Sequence, residues 1–371
     1  MLYFLQPLLL WFWKEKRLFK NKTLVDVTTS SSIIIFGLFI NRSVATEATS
    51  LGLILENYSV NFSLISDNPL SHRILLPFLS FILNIHVQTL NILLTFLFIY
   101  LIQSYLSEKL SIFYSFLITT AICTTMIFQF SVTYGGYPDV LANILLLQSY
   151  KHKNNKKVFS IYFLLLLLTH ESALFLLPFF LYIFFINKTK FKEYLPLLIA
   201  VVFYFVFYFI ANSNQYDVSF YFKPLLNDPF FWFKDSYNVL LIGIFSSIKF
   251  LFLYLLYSLY KLKNLRIEWF LFFMLVTSQL FIAGDVTRFY IVLFLPILVL
   301  SRDLFTKKLA PNKIYFFLIL IILLNIATPK YYVFAPGEIV KVNDSRIHFL
   351  NIYKIQNWKW KTIKNLHTQL F

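Results

Sequence analysis

Three short acidic turns interrupt the apolar stretches of this 371-residue chain. Thr169-His170-Glu171-Ser172 breaks the apolar block 158–187, and Gly284-Asp285-Val286-Thr287-Arg288 breaks the block 269–301. Tyr134-Gly135-Gly136-Tyr137-Pro138-Asp139 opens a third short apolar run. Carboxylate, imidazole and guanidinium are the side chains that exchange protons and hold anions. Basic loops flank the first block at both ends, so it is expected to cross a bilayer twice. Its legs are then about 12–15 residues, or about 18–22 Å, against a hydrocarbon core of about 30 Å. The His170-Glu171 turn is therefore expected below the outer surface, and the other two turns likewise. Non-helical backbone at that depth survives only against protein or a water-filled cavity, and ionisable groups there are functional candidates.

Each turn also has a plain structural reading. Asp285 and Arg288 are three apart, the spacing of a helical ion pair. His170-Glu171 fits a wet turn, and Asp139 after Pro138 fits a helix start. Lys249 stands near the middle of the apolar run 237–260, where a lysine must pair, snorkel or lose its proton. An acid on a neighbouring span or a lipid phosphate would each serve as its partner.

These groups need a frame that carries them into a membrane. Hydrophobic residues make up 59% of the chain and charged residues 13%, against about a quarter charged in a soluble domain. Segments such as Phe163–Leu168 and Val201–Ile210 do not alternate, which favours helices over a barrel. The expected fold is all-α, a polytopic transmembrane helical bundle of about 11 spans with short recessed hairpins on its outer face. The spans are expected at 24–40, 88–106, 111–130, 138–150, 158–169, 173–187, 194–212, 237–260, 269–283, 289–301 and 314–328. Ile74–Asn84 is too short to cross and is expected to lie at the interface. The chain reads as one membrane domain over 1–371: an interfacial or cytoplasmic N-terminus (1–23), the bundle (24–328) and a basic tail (329–371).

The net charge of +16 does not point to nucleic acid, because the basic residues gather in short loops. With the N-terminus cytoplasmic, six inner segments hold 20 of the 33 Lys and Arg residues, as positive-inside sorting requires. Acids gather on the other side, including Glu47, Glu56, Asp67, Asp139, Glu171 and Asp285. Met1–Trp13 precedes its basic cluster and reads as an interfacial anchor, not a cleavable signal. The single cysteine, Cys123, offers neither a disulfide framework nor a cysteine metal site.

Three local patterns resemble those of bacterial polytopic glycosyltransferases. Asn68-Pro69-Leu70-Ser71-His72-Arg73-Ile74-Leu75-Leu76-Pro77-Phe78-Leu79 is similar to the R-x-L-x-P-x-L stretch after their first loop. Thr169-His170-Glu171 looks like their small lumenal turn, and Asp285-x-x-Arg288 ahead of Pro296 looks like a D-x-x-R segment. The plan resembles the GT-C superfamily, which uses polyprenyl-phosphate sugars. That resemblance implies transfer of a sugar from a lipid-phosphate donor to a glycan or lipid acceptor at the outer face of a bacterial inner membrane. It implies Glu47 as catalytic base, Arg73 and Arg288 on phosphate, and Asp139, His170 and Glu171 on sugar hydroxyls or a divalent cation such as magnesium or manganese. The family places an acid soon after its first span, where this chain has Asn41-Arg42-Ser43, and Glu47 is the first acid that follows. A polysaccharide polymerase or ligase shares this layout. A lipid-linked-sugar transporter or flippase is the non-enzymatic alternative, and Lys249 favours it.

Overall fold

A computed structural model describes residues 22–41, 55, 57–60, 62–63, 73–133, 137–211, 228, 240–281, 286–310, 313–334 and 338–342. These residues form a helical bundle with one two-stranded ribbon. The helices are α1 (Lys22–Asn41), α2 (Leu75–Leu83), α3 (Val87–Ser107), α4 (Ile112–Cys123), α5 (Met126–Thr133), α6 (Asp139–Lys151) and α7 (Lys156–Thr169). A 3-10 turn, Glu171–Leu176, then leads into α8 (Leu177–Ile186), and another, Phe191–Tyr194, into α9 (Leu195–Ala211). The chain continues with α10 (Leu240–Ile248), α11 (Leu251–Lys261), α12 (Arg266–Ser278), α13 (Val286–Tyr290), α14 (Phe294–Thr306) and α15 (Ile314–Ala327). Strands β1 (Lys330–Phe334) and β2 (Glu338–Val342) pair antiparallel, with Tyr332 opposite Val340.

Among the described residues, three helical stretches are long and apolar enough to cross a membrane: Val87–Ser107, Phe191–Ala211 and Val286–Thr306. The pair α10 and α11 makes a fourth if a break bent by 89° is counted within one span. Other apolar helices, such as Ile112–Cys123 and Ile314–Ala327, run only 10–17 residues. The helical fold agrees with the sequence reading, whereas length alone does not supply about 11 spans.

Two expected spans are broken. The run 111–130 divides at Thr124-Thr125, whose hydroxyls donate back to Ala121 O and Ile122 O at 2.7 Å each. Such back-bonding competes with the helix ladder and bends it. The run 237–260 divides at Lys249, whose φ of 46° is left-handed and ends α10. Asn325 of α15 ties the two breaks together. Its Oδ1 accepts the Phe250 N–H at 3.0 Å, and its Nδ2 donates to Thr124 Oγ1 at 3.0 Å. The Lys249 ammonium donates to Asn325 O and, at 2.8 Å, to Thr328 O. A lysine on the final carbonyls of a helix satisfies groups that have no partner within it and opposes their negative dipole end.

The ribbon was not foreseen in the basic tail. It packs on α10 and α13, and the Val333 N–H donates to Thr287 Oγ1 at 2.8 Å. Ser247 Oγ of α10 donates to Thr287 O at 2.8 Å. The sequence reading put Val286 to Arg288 in a recessed turn. They form the first turn of α13, clamped between α10 and β1.

Gly243 makes this clamp close, because a Cβ there would stand 2.2 Å from Val286 Cγ1 and 2.9 Å from its Cβ. Gly243→Ala should therefore cost about 1–3 kcal/mol by overpacking. Thermal unfolding in detergent measures it, and Val286→Ala in the same chain should recover part of the loss.

Charges gather at the two ends of α6 and of the 286–306 stretch. At one end, Glu108 accepts from Lys151 Nζ at 3.0 Å and pairs with Arg302, whose Nη2 lies 3.2 Å from Oε2. The Arg302 guanidinium also lies 4.1 Å from the Tyr105 ring centroid, and Ser107 Oγ donates to Asp26 Oδ2 at 3.0 Å. These residues come from four of the segments assigned to one side or its border. About 18 Å away along α6, at 1.5 Å per residue, lie Asp139 and the second charged cluster.

Candidate functional site

The second cluster begins with two helix ends and a helix break. Asp139 is the first residue of α6, and Pro138 before it supplies no N–H of its own. Arg288 stands in the single turn of α13. His170 ends α7 in extended conformation and opens the 3-10 turn that carries Glu171. An aromatic cluster ties the two legs on either side of that break to each other and to α12. Phe159 of α7 packs on Phe180 of α8 at 4.9 Å, and Phe179 packs on Phe272 of α12 at 4.9 Å. Arg73 comes from the segment leading into α2.

The side chains form one chain of contacts. Arg288 Nε donates to Asp139 Oδ1 at 2.7 Å, and Arg288 Nη2 lies 3.1 Å from His170 Nε2. His170 Nδ1 lies 3.7 Å from Glu171 Oε2. Arg73 closes the line with a two-pronged bond to Glu171, its Nε at 2.9 Å from Oε2 and its Nη2 on Oε1. Such forked pairs are the stronger, geometrically defined kind. The order is thus carboxylate, guanidinium, imidazole, carboxylate, guanidinium.

The tautomer of His170 follows from its neighbours. A guanidinium only donates, so Nε2 must accept from Arg288, and a neutral ring then carries its proton on Nδ1, toward Glu171. The Ser172 N–H, 3.3 Å from Nδ1, points at the same nitrogen. Both nitrogens cannot accept in one neutral tautomer that also donates, and the charged arginine is the stronger donor. Burial, reinforced by the Arg73 charge, pushes the His170 pKa down to about 3. His170 is thereby a neutral bridge between two ion pairs.

That assignment has a pH consequence. The ordinary value is 6.5, so above it both folded and unfolded forms are neutral at this residue. Between 6.5 and about 3 only the unfolded form takes the proton, and stability falls as pH falls. His170→Gln, which keeps one donor and one acceptor without titrating, should flatten the acid side of a melting-temperature profile measured from pH 7 to 4.

A cavity of about 40 Å³ opens beside the cluster, lined by Asp139, His170, Arg288, Asn143, Ser172 and Gln279 over apolar walls that include Leu146 and Leu166. Asp139 Oδ2 is buried and has no hydrogen-bond partner among the described residues. The volume holds a few water-sized groups, such as a ligand hydroxyl beside ordered water. Asn91, a polar residue on α3, braces the rim by donating to Tyr137 O at 2.8 Å, and the Arg288 guanidinium lies 4.7 Å from the Tyr137 ring centroid. Asn91 and Tyr137 escaped the sequence reading. The signal for Asn91 was an amide in a mostly apolar run that also holds Gln88 and Gln103.

The structure thus brings together Arg73, Asp139, His170, Glu171 and Arg288. Lys249 does not line the cavity, and its side chain is fully buried against the end of α15. Glu47 and Asp285 lie outside the described residues. No group of three or more His, Cys, Asp or Glu among the described residues is placed to hold a metal. Each of the two acids here is taken by an arginine, and His170 Nε2 is taken as well. That donor set does not fit magnesium or manganese, which need several converging oxygens. Comparison with protein-family models, with curated proteins and with solved structures gives no match for this chain.

Proposed function

We propose that the chain is a multi-pass glycosyltransferase of a bacterial inner membrane, moving a sugar from a polyprenyl-phosphate donor to a glycan or lipid acceptor at the outer face. The reading includes about 11 crossings, with the shorter helices crossing a bilayer thinned around them and the N-terminus in the cytoplasm. The observation that carries it is the meeting of Arg73, Asp139, His170, Glu171 and Arg288, drawn from four distant segments, with Asp139, His170 and Arg288 lining a cavity and one buried carboxylate oxygen of Asp139 unpartnered among the described residues. Glycosyl transfer needs a carboxylate near the acceptor hydroxyl and a cation near the leaving phosphate. The cluster offers both, and its end of α6 is opposite the Lys151 and Arg302 end.

A second reading has its own support. Two broken helices meet at Asn325, with Lys249 buried between them, and broken helices at the midplane are a feature of transporters. Purified protein in nanodiscs, supplied with a radiolabelled polyprenyl-phosphate hexose and mixed glycan and lipid acceptors, separates the two. The transferase reading expects label to leave the polyprenyl carrier. Label that stays on the carrier but changes leaflet in vesicles would replace it with the transport reading.

A further inference from the structure

We infer that Asp139 is the catalytic base, its free Oδ2 taking the proton of the acceptor hydroxyl, and that Arg73 holds the departing phosphate. This rests on the glycosyl-transfer reading, which leaves the base open, since Glu47 lies outside the described residues.

Asp139 Oδ1 is spent on Arg288, and Arg288 is spent in turn on His170. The carboxylate is thus held ionised and fixed in rotation. Its second oxygen, buried and unpartnered among the described residues, belongs to a side chain that lines the cavity. A buried carboxylate oxygen without a donor is costly, and a ligand hydroxyl removes that cost. Glu171 has no such oxygen to offer, because both of its oxygens receive Arg73. His170 meets Arg288 at Nε2 and the Ser172 N–H at Nδ1. Among the acids of the cluster, Asp139 alone keeps a site for a proton.

The order of contacts decides which arginine meets phosphate. In a direct displacement the nucleophile and the leaving group stand on opposite sides of the anomeric carbon. Arg288 touches the base itself, so it lies on the nucleophile's side. Arg73 is at the far end of the line, four contacts from Asp139. The acceptor hydroxyl gives its proton to Asp139 Oδ2 as its oxygen bonds to the anomeric carbon. The bond from that carbon to the phosphate oxygen breaks, and its electron pair leaves on the phosphate, facing Arg73. The proton on Asp139 then passes to water at the outer face. Arg288 is a positioning residue in this scheme, and its guanidinium keeps Asp139 ionised.

The test uses full-length protein in nanodiscs with a polyprenyl-phosphate hexose. Asp139→Asn should lose about 10²–10⁴ in transfer rate, the usual worth of a general base, while still binding donor. Asp139→Gly should be inactive alone and regain transfer by about tenfold or more in formate, whose carboxylate fits the vacated space. Arg73→Lys should raise the donor KM and respond to no added anion. Should Asp139→Asn fail to fold, Asp139→Glu keeps the ion pair and should fold while losing transfer. Transfer by Asp139→Asn within threefold of wild type, or no formate rescue in a folded Asp139→Gly, would overturn the assignment. A wild-type protein that transfers nothing would instead sink the glycosyl-transfer reading beneath it.

Discussion

Replacing Arg288 with methionine should cost about 3 kcal/mol of stability and abolish transfer. The change removes the partner of Asp139 Oδ1 and of His170 Nε2 at once. Breaking a buried ion pair from one side typically costs about 3–5 kcal/mol, because a charge is left without compensation. Both side chains keep some exposure, 12% for Arg288 and 15% for Asp139, which places the expectation at the low end. The double variant Asp139→Leu with Arg288→Met removes both charges and should recover most of that stability, yet stay inactive. The cycle of four proteins, melted in one detergent, reads the coupling directly. A double variant whose loss equals the sum of the two single losses would mean that the pair contributes nothing.

The second large effect is expected far from the cavity, at Asn325→Leu. The substitution strands the Phe250 N–H and takes a donor from Thr124 in the apolar interior. Each unsatisfied buried group costs about 1–3 kcal/mol, so a loss of about 2–5 kcal/mol is expected. The chain carries its own reporter. Cys123 is fully buried beside Thr124 and should resist a small maleimide in the wild-type protein. It should react readily once Asn325→Leu loosens the junction of the two breaks. Asn325→Asp keeps the acceptor for Phe250 and puts a carboxylate near the Lys249 ammonium, so its labelling should stay close to wild type. Equal labelling of the leucine variant and wild type would show that Asn325 does not hold the breaks.

How much of this was written in the sequence depends on the range of the interaction. Helices came through because each is declared by its own apolar run, as in α3 and α9. The end of α7 at Thr169 came through because His170 and Glu171 interrupt such a run locally. The breaks at Thr124 and Lys249 did not, because their partner Asn325 lies 201 and 75 positions away in its bonds to Thr124 and Phe250. Arg288 shows the same limit. Its spacing to Asp285, which lies outside the described residues, is local, and its bond to Asp139 spans 149 positions. Lys249 was marked as costly in an apolar run, and the final carbonyls of α15 are partners that its sequence surroundings do not announce. The ribbon had a signal in Tyr331-Tyr332-Val333 and Ile339-Val340, a β-branched and aromatic pattern. The basic charges around it drew the reading toward a basic tail instead.

The claim on which the rest depends is that the cluster around Asp139 and Arg288 is where a lipid-linked sugar binds. A polyprenyl-phosphate hexose with a photoreactive group on its sugar, bound to the purified protein in nanodiscs and illuminated, tests this by where it attaches. The label should map to peptides that contain Arg73, Asp139, His170-Glu171 or Arg288, and unlabelled donor should compete it away. Competable label confined to the opposite end, around Glu108, Lys151 and Arg302, or to the Lys249 junction, would contradict the assignment.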